Sequence, residues 1–438
     1  MSMSAGKETV FNAAFEKSIA GSEQPGWLIE IRRKAFGSFV EAGLPTVRNE
    51  EWKYTNVSPI SAASWQVLTA EDAGPVSGDF DLTKGIFEEI EGGNRIVFVG
   101  GIFREDLSRM PEGVSASQFS EAYDDEKFRS KFSTIVDTEL NGFTALNTAF
   151  SGEGIFLRAG KDTKVDQAIN LVFIGVVGSA GFPRVLYIGE TGSEAEIVEH
   201  YLRAEESEYL TNAVVEISLA DEARLSHTRV QRESHSAYHV VTSQAELGRG
   251  SVYDNTNIHL GSKLSRHDLG MGFNAEGGEG WIDGLYLVDD EQHTDTHSRI
   301  DHRIPNCVSH QTYKGILDGK SRAVFNGKVF VHEKARGTDA YQSNKNLLLS
   351  NDARVDTKPQ LEIFNDDVKC AHGATVGQLE EEELFYLLSR GLPEDLARNL
   401  LTYGFAEEVI EKIKVPSIKK ALDEAVLSRL HSRLDTAE

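Results

Sequence analysis

Two side chains with metal-ligand chemistry stand two positions apart in the last quarter of the chain. They are Cys370 and His372, within Val368-Lys369-Cys370-Ala371-His372-Gly373-Ala374-Thr375-Val376-Gly377. In an extended segment residues i and i+2 share a face, so a thiol and an imidazole would be presented together. Gly373 and Gly377 are expected to let the backbone turn out of that strand. Thiolate and neutral imidazole both ligate soft or borderline metals, which makes the pair a candidate metal- and cofactor-binding site. The competing reading is plain packing: a lone buried cysteine behaves as a small hydrophobe, and a histidine as a hydrogen-bonding group.

A denser group lies between Gln292 and His310, where His293, His297, His302 and His310 accompany Cys307. Those residue types suit a metal site, but strand alternation places His293 and His297 on one face and His302 on the other. Hydrogen bonding along a polar face, or a subunit contact, explains them as well as metal does. The carboxylates Asp283, Asp289 and Asp295 offer acid-base or metal chemistry of the kind a polysaccharide-active β-helix enzyme would use. A self-contained metalloprotein built on His293 and His297 is a third reading. Neither a GxxxxGK[ST] phosphate loop nor a GxSxG elbow occurs, and Gly270-Met271-Gly272 and Gly277-Gly278 sit among strand patterns as turns. The chain is therefore expected not to be an enzyme.

The 438 residues carry a formal net charge of −24, which disfavours nucleic acid and anionic membrane surfaces as partners. Two cysteines, Cys307 and Cys370, form no disulfide framework and fit a reducing compartment. With no apolar signal core in Met1 to Val10, no transit segment and no membrane span, a cytoplasmic protein is expected.

These chemical groups must be positioned by three kinds of element. Phe11, Phe15 and Ile19, then Trp27, Ile31, Ala35, Phe36, Phe39 and Val40, recur at helical spacing and predict two helices, the second ending near Gly43. From about Ile96 to Cys370 the chain breaks into short apolar or alternating runs punctuated by Gly, Asp and Asn, the pattern of many strands. Ala195, Ala223, Ala323 and Ala353 each lead an alternating run, with spacings of 28 and 30 within the two pairs, inside the span of stacked repeats. That leaves a sandwich, a barrel or a β-solenoid open. Gln378 to Arg390 then predicts a helix with acidic first turns, stopping at Gly391. Pro393 opens a second helix ending at Gly404, and the two make a helical hairpin. Residues 75 to 150 mix Gly-rich turns with short helical patterns and carry no functional assignment.

The segment Lys369-Cys370-Ala371-His372-Gly373 through Gly404-Phe405-Ala406 resembles the C-terminal signature of the SufB/SufD family of iron-sulfur cluster assembly scaffolds. The resemblance continues in Asp318 to Lys328, Asn346 to Ser350 and Val355 to Ile363, and near the N-terminus in Leu44-Pro45-Thr46 and Glu50-Glu51-Trp52-Lys53-Tyr54-Thr55. Arg354 stands about where the SufB branch usually has a cysteine, and Gly373 where it has a glutamate, so the chain resembles the SufD branch. The resemblance implies a mainly β fold, a right-handed parallel β-helix between helical domains, and the borders 1–90, 91–372 and 373–438. It implies a heterodimer with SufB through the β-helix, or a homodimer when isolated. It also implies that the ATPase SufC binds the C-terminal helices, with Leu384, Phe385, Tyr386, Arg390 and Gly391 as contact residues. His372 matches the family histidine at the SufB interface. Iron-sulfur clusters are held by about four protein ligands, so two residues imply a transient iron or iron-sulfur cluster shared with SufB.

Overall fold

The computed structural model describes residues 9–20, 23–69, 90 and 93–435. Residues 70–89 of the expected domain 1–90 lie outside the described residues. Two helices, Asn12–Ile19 and Gly26–Ala42, open the chain as their apolar spacing predicts. Gly43, at φ 69°, ends the second, a left-handed conformation that costs glycine nothing.

From Ile96 to Gly377 the chain winds as a parallel β-solenoid of about eight turns, each alternating between two facing sheets. Arg224, Val252, Glu279 and Val308 stack directly above one another in the first sheet. The second sheet stacks Leu210, Tyr238, Leu264 and His293 in the same way. Of the alanine-led runs, Ala195 pairs with Leu225 and Ala323 with Val355. The true rung is thus two residues longer than the spacing of the alanines, because Ala223 and Ala353 sit in the turns before their strands.

Alternation sends every second residue into the space between the sheets, where Ile197, Ile217, Leu269, Tyr286, Tyr313 and Phe325 pack as one core. The outer faces are apolar only where something covers them. Near the N-terminal end, Phe15, Phe36, Trp52 and Phe143 cover Tyr238, Val240 and Leu264 of the second sheet. On the first sheet, Val409, Ile410, Ile418, Leu422 and Val426 cover Val230, Ile258, Leu285 and Ile316.

The two ends of the solenoid differ. At the N-terminal end antiparallel strands, Ile102–Phe103 and Ser115–Gln118, close the sheets. At the other end Arg354–Ile363 and Val368–Gly377 are the edge strands of the second and first sheets.

Three sequence expectations differ from the structure here. The last strand runs on through Gly373 to Gly377, so Gly373 does not turn the backbone out of it. The helix that starts after Pro393 does not stop at Gly404 but continues as Glu394–Ile410. A glycine inside a helix costs about 1 kcal/mol, and burial of Val409 and Ile410, at about 1.5–3 kcal/mol each, outweighs it. Finally, the hairpin becomes a set of three with the helix Pro416–Asp435.

Candidate functional site at the open end of the solenoid

Register fixes the setting of Cys370 and His372. Ala195, Leu225, Tyr253, Gly280, Ser309, Ala340 and Cys370 form one inward-facing column of the first sheet. Ile197, His227, Asn255, Ile282, Gln311, Gln342 and His372 form the next. All earlier members of both columns are buried, whereas Cys370 is half-buried against the core and His372 is exposed. The structure therefore brings the pair onto one face, at the mouth of the solenoid interior. Burial pushes the Cys370 thiol pKa up, with Asp339 adding to it, so the group is a protonated thiol until a metal or base takes its proton.

The chain passes from this strand to the helix Glu381–Ser389 through only Gln378, Leu379 and Glu380. That helix buries none of its residues. Phe385 is 71% and Tyr386 56% exposed, with Leu388, Leu396 and Leu400 exposed beside them. The Arg390 guanidinium lies 5.1 Å from the Tyr386 ring, and Gly391 at φ 90° ends the helix. Glu394–Ile410, by contrast, is fastened to the solenoid: Lys314, buried on the first sheet, donates to Glu408 and to Phe405 O. Lys412, just beyond, pairs with Asp283 at 2.7 Å.

The histidine-rich stretch does not converge. His293 contacts Thr55 Oγ1 at 2.9 Å, while His297 bridges Glu51 and Asp295 at 3.2 Å each. His302 faces the interior, 2.8 Å from Ser309 Oγ, and burial lowers its pKa to about 4. His310 lies on the first sheet, its ring tilted against Trp281 with centroids 4.7 Å apart. Cys307 is buried and its thiol donates to two backbone carbonyls at 3.4 Å. Among the described residues, three ligand atoms come within reach of one ion only at His235, Asp289 and Asp290. The three aspartates considered for acid-base work are likewise apart, with Asp283 under the C-terminal helices, Asp295 beside Arg266 on the other sheet, and Asp289 at a turn.

Sequence reading missed one electrostatic cluster. Arg266, buried, lies 4.2 Å from the Trp52 ring and donates to Asp295 at 2.6 Å, Asp268 at 2.7 Å and Glu51 O at 2.8 Å. Thr55 also donates to Asp295. These contacts clasp the Glu50-to-Thr55 segment onto the solenoid. Burial alone would lower the His297 pKa, but the Asp295 and Glu51 carboxylates together outweigh it and the pKa is raised. The segment was visible only as a motif; its partners lie more than 200 residues away.

Comparison with known proteins fits this architecture. The family described as "SUF system FeS cluster assembly, SufBD core domain" matches residues 173–405, and "SufBD protein N-terminal region" matches residues 10–171. The chain belongs to the SufBD family. It is 32% identical to the iron-sulfur cluster assembly SufBD family protein slr0076 of Synechocystis sp., over 94% of each chain. It is 30% identical to the iron-sulfur cluster assembly protein SufD of Escherichia coli, over 90% of each. To protein ABCI7, chloroplastic, of Arabidopsis thaliana it is 29% identical, over 91% of this chain and 86% of that one. The core match ends at Phe405, so it takes in both the terminal rung and the exposed helix. No helix among the described residues is long and apolar enough to cross a membrane.

Proposed function

We propose that this SufBD family member is a scaffold without a catalytic centre of its own, working in the cytoplasm as the SufD-like half of a SufB-SufC-SufD assembly complex. The observation that carries the reading is the contrast between the ends of the solenoid. One is closed by antiparallel strands; the other leaves two ten-residue strands as open edges, with His372 and Cys370 in interior columns that no further rung covers. Unpaired edges of that length invite pairing with another chain. A SufB rung set against them would complete the interior and add the ligands that two residues lack. Without SufB, a second copy of this chain would occupy the same edges.

SufC would dock on the exposed face of Glu381–Ser389 through Leu384, Phe385 and Tyr386, with Arg390 and Gly391 shaping its end. The three-residue link from that helix to the strand of His372 supports a mechanical role. ATP-driven closure of two SufC subunits would move the helix, and the edge strand would follow, opening the shared site to iron and sulfide. Iron and sulfide are substrates here, and the assembled cluster is handed on.

The test is co-expression with SufB and SufC, comparing wild type with His372→Ala. An intact complex lacking iron and sulfide would support a shared site at His372; undiminished cluster would remove His372 from it. Failure of the wild-type proteins to associate would overturn the scaffold reading itself.

A further inference from the structure

The two open edge strands are not equivalent. In a parallel ladder alternate residues turn both N–H and C=O to one neighbour, and the residues between them turn theirs to the other side. On the second sheet Arg354 N donates to Ser321 O at 3.0 Å and Phe364 N to Val331 O at 2.9 Å, with unbroken register between them. Val355, Thr357, Pro359, Leu361 and Ile363 therefore face the open side, and Pro359, in the middle, has no N–H to offer. On the first sheet Gly337 N donates to Asp367 O at 2.7 Å and Asn346 Nδ2 to Thr375 O at 3.3 Å, again in unbroken register. Cys370, His372, Ala374 and Val376 face the open side there, each with a backbone donor and acceptor.

Side chains repeat the contrast. Arg354, Asp356 and Lys358 stand exposed along the second-sheet edge, and Glu50 of the N-terminal segment reaches Lys358 at 3.5 Å. Charge, proline and a covering segment are devices by which edge strands avoid pairing. Between Cys370 and Gly377 the first-sheet strand carries no lysine, arginine, carboxylate or proline, and a Cβ added at Gly373 or Gly377 would meet nothing within 4 Å. The Tyr341 ring, 44% exposed, lies beside Ala371 in the next strand. Resting on the scaffold reading above, we infer that the partner's strand is added to the first-sheet edge alone, on the backbone groups of Cys370, His372, Ala374 and Val376. Pro359 keeps the second-sheet edge out of the ladder. The occupant is an extended segment of SufB with a bulky apolar side chain over Ala371 and Tyr341. Such pairing clamps the backbone of His372 itself, so one strand carries both the interface and the site.

Hydrogen exchange of the full chain with and without SufB tests this. In the complex the amides of Cys370, His372, Ala374 and Val376 should gain protection, and those of Val355, Thr357, Leu361 and Ile363 should not. Affinity for SufB should fall about tenfold or more in Ala374→Pro, which removes one open-edge donor and leaves the ladder to Thr338–Leu348 in place. Pro359→Val should leave affinity within about twofold. A severalfold gain in Pro359→Val, or new protection between Val355 and Ile363, overturns the assignment by showing the second sheet paired. Unchanged binding of Ala374→Pro overturns it too, and if that variant fails to fold, the exchange pattern of wild type decides. Protection of the Cys370-to-Val376 amides on self-association but not with SufB overturns SufB as the occupant. A wild-type complex without the expected protection defeats this assignment alone, whereas no complex at all defeats the scaffold reading and the assignment with it.

Discussion

Gln342 and His372 lie directly opposite each other in the same interior column, one rung apart, yet Gln342 is fully buried and His372 is exposed. The difference comes from stacking rather than from the residue types. Gln342 has a rung on either side and donates to Gln311 at 2.7 Å; His372 has a rung on one side only. Truncating each should therefore have opposite consequences. In the isolated chain His372→Ala should change stability by less than about 0.5 kcal/mol. Gln342→Ala should cost about 1–3 kcal/mol, by removing a buried hydrogen bond and leaving a cavity in the interior column, even though Gln311 Oε1 still accepts from Ser298 Oγ at 3.0 Å. Urea unfolding of both variants checks this, and a substantial loss in His372→Ala would mean that the histidine is structural.

The exposed helix gives a second separation of stability from association. Phe385→Ala with Tyr386→Ala should leave the melting temperature within a degree or two, because neither ring is buried in this chain. Co-purification with SufC should fall sharply, since large aromatic side chains are frequent hot spots of protein interfaces. Association at wild-type strength would place the SufC contact elsewhere.

What could be read from the sequence was what repeats locally. The strands, the first two helices and the splitting of His293 and His297 from His302 all come from spacing within one element. The solenoid, which the structure bears out, is legible through the family motifs and not through strand pattern alone, because interior columns mix Ile197 and Ile282 with His227, Asn255 and Gln311 and so blur the apolar signal. The third C-terminal helix carries a local signal of its own, Pro416 at its start and Ile418, Leu422 and Val426 at four-residue spacing. The helix Gly142–Phe150 likewise announces itself by Asn141, whose side chain caps Phe143 N and Thr144 N. The Glu51–His297 and Thr55–Asp295 contacts had no local signal, since they join residues brought together only by the stacking of rungs.

One buried ion pair holds the segment before Asn141 in place. Arg184 meets Glu216 at 2.7 Å with both side chains out of solvent, and Glu216 also accepts from the backbone N–H groups of Ser133, Ile135 and Val136. Glu216→Ala would strand a buried guanidinium and three amides, so a loss of about 3–5 kcal/mol is expected. Hydrogen exchange should show the 133–136 amides losing protection first. A loss below about 1 kcal/mol would mean that water or another carboxylate replaces Glu216.

The N-terminal clasp predicts a pH dependence whose sign is set by His297. Its neighbours are Asp295 and Glu51, at 3.2 Å each, with buried Arg266 opposing them. Because its folded-state pKa is raised, the stability it contributes is complete below its unfolded value of about 6.5 and is lost as pH rises through the folded value. Glu51, its pKa lowered by the hydrogen bond to His297, contributes stability that is lost instead on acidification. Between about pH 6 and about pH 9, spanning the ordinary histidine value, only the first effect operates. The stability gap between wild type and His297→Gln should therefore be widest near the acidic end of that window and narrow as pH rises. Urea midpoints across the window measure it, and a gap independent of pH would mean that His297 holds Glu51 and Asp295 as a neutral ring. The same experiment followed by proteolysis within residues 44–57 should show this segment cut faster in His297→Gln, because Glu51 then keeps only Asn326 and the Arg266 contact to its carbonyl.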